Sequence, residues 1–124
     1  MDFKLYKNII NQLKEINYRG RINFYNNSEP LITKNLFEYL EYATNTIKNG
    51  NEFRVMTNGI SLNKSKSENL VKSGINSIIV NLYLEDLTKD YPEKVMYLKE
   101  LVDVNNIEKN TKISLEIHKR LITE

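Results

Sequence analysis

Four polar clusters carry the residue types needed to hold a small ligand. Asn26, Asn27, Ser28 and Glu29 stand before Pro30; Thr57 and Asn58 precede Gly59; Asn81, Tyr83, Glu85 and Asp86 share a short span; Glu116, His118 and Arg120 alternate along the last segment. Amides and hydroxyls donate and accept hydrogen bonds, and a carboxylate accepts from an ammonium group. That inventory suits recognition of an amino acid or a ribose better than hydrolysis. Pro30 holds the residue before it extended, which fixes the Glu29 carboxylate between a strand end and a helix start. A carboxylate so placed can catch a cationic or hydroxyl group. The same residues also suit an ordinary loop with a solvated glutamate, and the residue pattern leaves both readings open.

No catalytic constellation accompanies these clusters. His118 is the single histidine of the sequence, and a lone histidine at a strand end reads as structural. Neither a Gly-x-Ser-x-Gly elbow nor a Walker loop nor a Gly-x-Gly-x-x-Gly turn occurs. Glu85-Asp86 reads as a pair of solvated loop charges, and Tyr39 and Tyr42 as half-buried packing on a helix. There are no cysteines, which excludes disulfides and any thiolate metal or iron–sulfur site made by these residues alone.

The elements that position the clusters follow from hydrophobic period. Phe3, Tyr6, Ile9, Ile10, Leu13 and Ile16 fall at helical spacing over residues 3–17, and Gly20 suits a left-handed residue past the helix end. Residues 21–25 read as a strand in which Ile22 and Phe24 alternate with polar neighbours. A second helix spans about 34–48, with Thr33 as a cap and Leu36, Phe37, Leu40, Ala43 and Ile47 on one face. Phe53 to Met56 is a short strand that leaves through Thr57-Asn58-Gly59. Ser65 and Glu68 match a capping box that starts a third helix ending at Gly74. Ser77 to Tyr83 is a nearly continuous apolar strand, as expected where both faces are covered. Pro92 suits the first turn of a fourth helix whose buried face takes Val95, Leu98, Leu101 and Val102, and residues 112–118 alternate as a fourth strand.

The order αβαβαβαβ implies an α/β fold with a parallel sheet and right-handed crossovers, over a single domain spanning 1–124. In such sheets, ligands gather at the carboxyl ends of the strands, which collects all four polar clusters on one rim. Apolar content of 40%, charged content of 27% and a net charge of +2 fit a globular chain. The charges are interspersed, so neither nucleic acid nor an acidic membrane is an expected partner. No signal-peptide pattern or membrane-length apolar run occurs, and a soluble cytoplasmic protein is the expectation.

Three landmarks resemble the core of radical S-adenosylmethionine (radical SAM) enzymes. Gly20-Arg21-Ile22-Asn23-Phe24-Tyr25-Asn26-Asn27-Ser28-Glu29-Pro30 is similar to the second strand and Gly-Gly-Glu-Pro region of that family. Thr57-Asn58-Gly59 resembles its Thr-Asn-Gly turn, and Leu70 to Val80 resembles the helix, glycine and strand that follow. The likeness is good over about residues 15–83 and looser elsewhere. It implies a partial (β/α)6 TIM barrel in which a loop after the first strand carries Cys-x3-Cys-x2-Cys and holds a 4Fe-4S cluster, the site of SAM cleavage to a 5′-deoxyadenosyl radical. By resemblance, Asn27, Ser28, Glu29 and Pro30 would border the methionine ammonium group, Thr57 and Asn58 the ribose and carboxylate, and Asn81 the ribose or substrate.

Two departures qualify that expectation. Asn27-Ser28 replaces the usual pair of glycines, and the cysteines are absent. The likeness starts at the helix after the cluster loop, so the expectation is a fragment of a radical SAM core whose cluster is held by residues outside this chain. Such a sheet would have open edges and an uncovered inner face of apolar residues, implying either a missing barrel half or self-association through those edges. The competing readings are a non-catalytic α/β binding or scaffold module and an unrelated small α/β domain.

Overall fold

The structure is a computed structural model that describes residues 2–24 and 36–122. The expectations at Asn27, Ser28, Glu29 and Pro30, and the Thr33 cap, lie outside those residues. Helix α1 (Phe3–Glu15) begins where the Asp2 carboxylate accepts the Lys4 N–H at 3.0 Å. Strand β1 is Ile22–Asn23, and helix α2 is Leu36–Thr46. Then come β2 (Phe53–Thr57), α3 (Lys64–Lys72), β3 (Ser77–Leu84), α4 (Glu93–Glu108) and β4 (Ser114–Leu121).

The strands form one parallel sheet in the sequential order β1-β2-β3-β4. Parallel strands joined in that order by right-handed crossovers carry their helices on one face. The core agrees with this. Phe53, Val55, Ile78, Val80 and Leu82 from the sheet pack in one cluster with Ile10 of α1, Leu40 and Ala43 of α2, Leu70 of α3, and Val95 and Leu98 of α4. Side chains of a strand alternate between faces. The register Val55–Ile78–Leu115 and Thr57–Val80–Ile117 therefore turns these residues to the helices. The other face carries Arg54, Met56, Ser77, Ile79, Asn81, Tyr83, Glu116, His118 and Arg120.

That face corrects one expectation. An apolar inner face was expected, yet the face is mostly polar: Met56, Ile79 and Tyr83 are its apolar or aromatic members, Ile79 is buried and Tyr83 is exposed. Leu121 and Ile122, at the β4 end, are also among the exposed apolar residues. Two local expectations are also corrected. Asn63, not Ser65, caps α3: its side chain accepts the Lys66 N–H at 2.8 Å. The left-handed residue after α1 is Asn17, with φ of 55°, rather than Gly20. An asparagine tolerates that region better than most side chains.

The aromatic residues of α1 and α2 are packing, as expected. Tyr6 and Tyr39 stack with ring centroids 4.6 Å apart, and Tyr6 Oη donates to Tyr39 O at 2.6 Å. Burial pushes the Tyr6 phenol well above its usual range.

Candidate functional site at the carboxyl ends of the strands

The two ends of the sheet differ in construction. At the amino end, polar groups are spent on holding strands together. Glu52, just before β2, accepts from Arg21 Nε and Arg54 Nη2, each at 2.7 Å. Arg54 Nε also donates to Ser77 Oγ at 3.1 Å, which links β2 to β3. The hydrogen bond from Arg21 leads the causes that hold the Glu52 carboxyl below its ordinary value. Buried Asn51 donates through Nδ2 to Tyr18 O at 3.0 Å and to Gly20 O at 2.9 Å. Asn76 Nδ2 donates to Asn51 O at 2.9 Å, while Asn76 Oδ1 accepts the Phe53 N–H at 2.8 Å. Asn51, Glu52 and Asn76 did not stand out in the sequence. Their one signal is position: Asn51 and Asn76 each lie between a helix-ending glycine and the next strand.

At the carboxyl end, β2 leaves through the Thr57-Asn58-Gly59 turn. Thr57 is buried, and its Oγ1 accepts the Gly59 N–H at 3.0 Å. Asn58 Oδ1 accepts the Ile60 N–H at 3.0 Å. Gly59 has φ of 79°, a region that L side chains enter at a cost. A Cβ at Gly59 would stand 3.3 Å from Val80 Cγ1, so the turn lies close against β3. The Thr57 hydroxyl therefore shapes the turn from the helix side, while the backbone of the turn and Asn58 form its rim.

Asn81 is half-buried on the open face, paired in register with His118. Its Oδ1 accepts from Arg120 Nε at 3.2 Å. His118 Nε2 lies 3.9 Å from Glu116 Oε2. Because Thr57 is level with Val80, Asn58 follows at the level of Asn81. The structure thus sets Thr57 and Asn58, at the carboxyl end of β2, level with Val80 and Asn81 in the middle of β3, with His118 and Arg120 alongside on β4. The Glu85-Asp86 pair is a loop feature: Asp86 Oδ1 accepts from Thr88 N at 2.9 Å and Thr88 Oγ1 at 2.8 Å. The backbone bond from Thr88 leads the causes that hold the Asp86 carboxyl below its usual range.

A hollow of about 190 Å³ opens beside the turn, lined in part by Asn58, Gly59, Leu82, Tyr83 and Lys94. Lys94, unremarked in the sequence, donates from Nζ to Ile60 O at 2.6 Å and ties α4 to the turn. Ile60, Leu84 and Pro92 also line it, so the hollow is mainly apolar, with Asn58, Tyr83 and Lys94 as its polar side chains. Among the described residues, no group of three or more His, Cys, Asp or Glu side chains is placed to hold a metal ion. No described helix is long and apolar enough to cross a membrane.

The strand-end geometry can be set beside known proteins. No protein-family profile matches the chain. Over 108 residues it is 32% identical to the S-adenosyl-L-methionine-dependent 2-deoxy-scyllo-inosamine dehydrogenase of Niallia circulans, an alignment covering 79% of this chain and 43% of that protein. That relative is S-adenosylmethionine-dependent by name. Two crystal structures of BtrN share the fold. One, of the selenomethionine protein in an open conformation, superposes with a TM-score of 0.63. The other, in complex with AdoMet and 2-DOIA, superposes with a TM-score of 0.65. Both are 26% identical over 95% of this chain and 44% of BtrN. The chain thus spans less than half the length of these relatives.

Proposed function

We propose that this chain forms the S-adenosylmethionine-binding part of a radical SAM core, an arc of a partial (β/α)6 TIM barrel. The observation that carries this reading is the likeness of 95% of the chain to BtrN with AdoMet bound. The sequential strand order, with every helix on one face, supports the barrel arc, since a doubly wound sheet reverses its order. Asn27, Ser28, Glu29 and Pro30 border the methionine ammonium group, the Thr57-Asn58 turn meets the ribose and carboxylate, and Asn81 meets the ribose or substrate. The Thr57 hydroxyl also holds the Gly59 N–H, which fixes the shape of that turn.

The residues do not fit a 4Fe-4S cluster. Such a cluster takes thiolate ligands, and the sequence has no cysteine. No cleavage step is therefore assigned to this chain, and the cluster belongs to residues outside it. Without cluster contacts to the amino-acid end of the ligand, affinity is weak. The cysteine-free composition also favours a second reading, a non-catalytic α/β binding or scaffold module of the same fold.

Amide NMR with added S-adenosylmethionine separates the two. The expected result is fast-exchange shifts at residues 26–29, 57–60 and 81, with Asn58→Ala and Asn81→Ala each weakening binding by roughly two- to tenfold, the scale of one hydrogen bond. Spectra unchanged at these positions at saturating solubility of the ligand would leave the module reading in its place.

A further inference from the structure

Strand β4 is a long open edge with a self-complementary order of side chains. Ser114 N–H donates to Asn76 O and Ile122 N–H to Leu84 O, each at 2.9 Å, and parallel pairing with β3 runs between them. Even-numbered residues of β4 thus turn their backbone groups toward β3. Leu115, Ile117, Lys119 and Leu121 turn theirs away from the sheet. Among the described residues no strand pairs with that side. An eight-residue edge of unpaired N–H and C=O groups is a template for another strand.

The side chains select which strand fits. Glu116 lies toward the start of β4 and Arg120 toward its end, with His118 midway. A parallel second copy cannot stand in register at this edge, because outward-facing residues would be level with inward-facing ones; Glu116 and Arg120 of the two copies would then lie on opposite faces and make no ion pair. An antiparallel copy about a two-fold axis at His118 does the reverse. It places Glu116 opposite Arg120 twice, and Leu115 opposite Leu121 twice. The outward backbone groups then meet as hydrogen-bonded pairs, because odd-numbered residues face odd-numbered ones. The same contact covers Leu121 and Ile122, which are 50% and 52% exposed.

We propose that β4 is a homodimer interface, pairing antiparallel with a second copy of this chain about a two-fold axis at His118. The closed symmetry limits assembly to two chains, joining two four-stranded sheets into one. The interface uses none of Thr57, Asn58 and Asn81, lies at the opposite edge of the sheet from β1, and requires that no further barrel strand pair with β4.

Sedimentation velocity over a concentration series tests the pairing, with circular dichroism to establish that each variant folds. The expected result is a dimer that Glu116→Arg or Arg120→Glu weakens tenfold or more, and that the double reversal restores. A second measurement uses His118→Cys. A non-hydrogen-bonded antiparallel pair sets Cα atoms about 4.5 Å apart, within disulfide range. Since the sequence has no cysteine, mild oxidation should link two chains at this position, while Glu100→Cys on exposed α4 stays unlinked. A monomer at every concentration, a dimer indifferent to both reversals, or His118→Cys linking no faster than Glu100→Cys would each overturn the proposal. An edge occupied by a segment of a longer chain gives the first of these results.

Discussion

Thr57 Oγ1 accepts the N–H of Gly59 at 3.0 Å, so the hydroxyl braces the turn after β2. The brace works because Gly59 sits at φ of 79°, pressed against Val80. Gly59→Ala adds a Cβ both to a left-handed residue and to a tight contact 3.3 Å from Val80 Cγ1. The left-handed region alone costs an alanine roughly 1 to 2 kcal/mol. Urea denaturation should show a loss of at least that size, with the urea dependence unchanged. A variant as stable as the parent would mean that the turn relaxes freely.

Asn51 supplies a second prediction. Its side chain satisfies two carbonyls, Tyr18 O and Gly20 O, and its Oδ1 accepts the Asn49 N–H at 3.2 Å. Asn51→Ala removes every one of these partners in a buried setting, at a cost of roughly 1 to 3 kcal/mol. Asn69→Ala, on the exposed face of α3, serves as the control and should change stability little. Equal melting temperatures for the two variants would contradict a structural role for Asn51.

The Glu52 carboxyl is held below its ordinary value, first by Arg21. A depressed folded-state value means that the stabilisation is fully present above the unfolded-state value, about 4.3. It is lost as pH falls through the lower folded-state value. Urea midpoints measured from pH 6 down to about pH 3 should decline, and Glu52→Gln should flatten that part of the profile. The amplitude is small, about 0 to 1 kcal/mol, because solvent and salt screen a pair whose side chains are 48% and 37% exposed. Raising the salt concentration should shrink it further.

Ser67 is fully buried on α3, and its Oγ has no hydrogen-bond partner among the described residues. A buried hydroxyl without a partner carries a desolvation penalty. Ser67→Ala is therefore expected to leave the melting temperature unchanged or to raise it. By contrast, Ser73 Oγ donates to Leu70 O at 2.7 Å, and Ser73→Ala should lower it. A fall for Ser67→Ala comparable to that for Ser73→Ala would show that the Ser67 hydroxyl is satisfied.

By itself the sequence determined the elements and their order. Phe3 to Leu13 and Leu36 to Ile47 announce helices through the spacing of their apolar residues, and Ile78, Ile79 and Val80 announce a strand through β-branching, because both signals are local. Local chemistry also marked Thr57-Asn58-Gly59 as a turn. Only the tertiary structure decided what those residues touch. Asn63 rather than Ser65 caps α3, and Asn17 rather than Gly20 turns left-handed, because several nearby residues can satisfy the same backbone demand. The polar open face of Arg54, Asn81 and Glu116 became visible only with the register, since a shift of one residue exchanges the two faces of a strand. The Asn51 and Asn76 links join chain segments far apart in sequence, and no spacing along the chain encodes such contacts. Which hydroxyl faces a ligand and which braces a turn depends on packing against a neighbouring strand, and packing is a property of the assembled sheet.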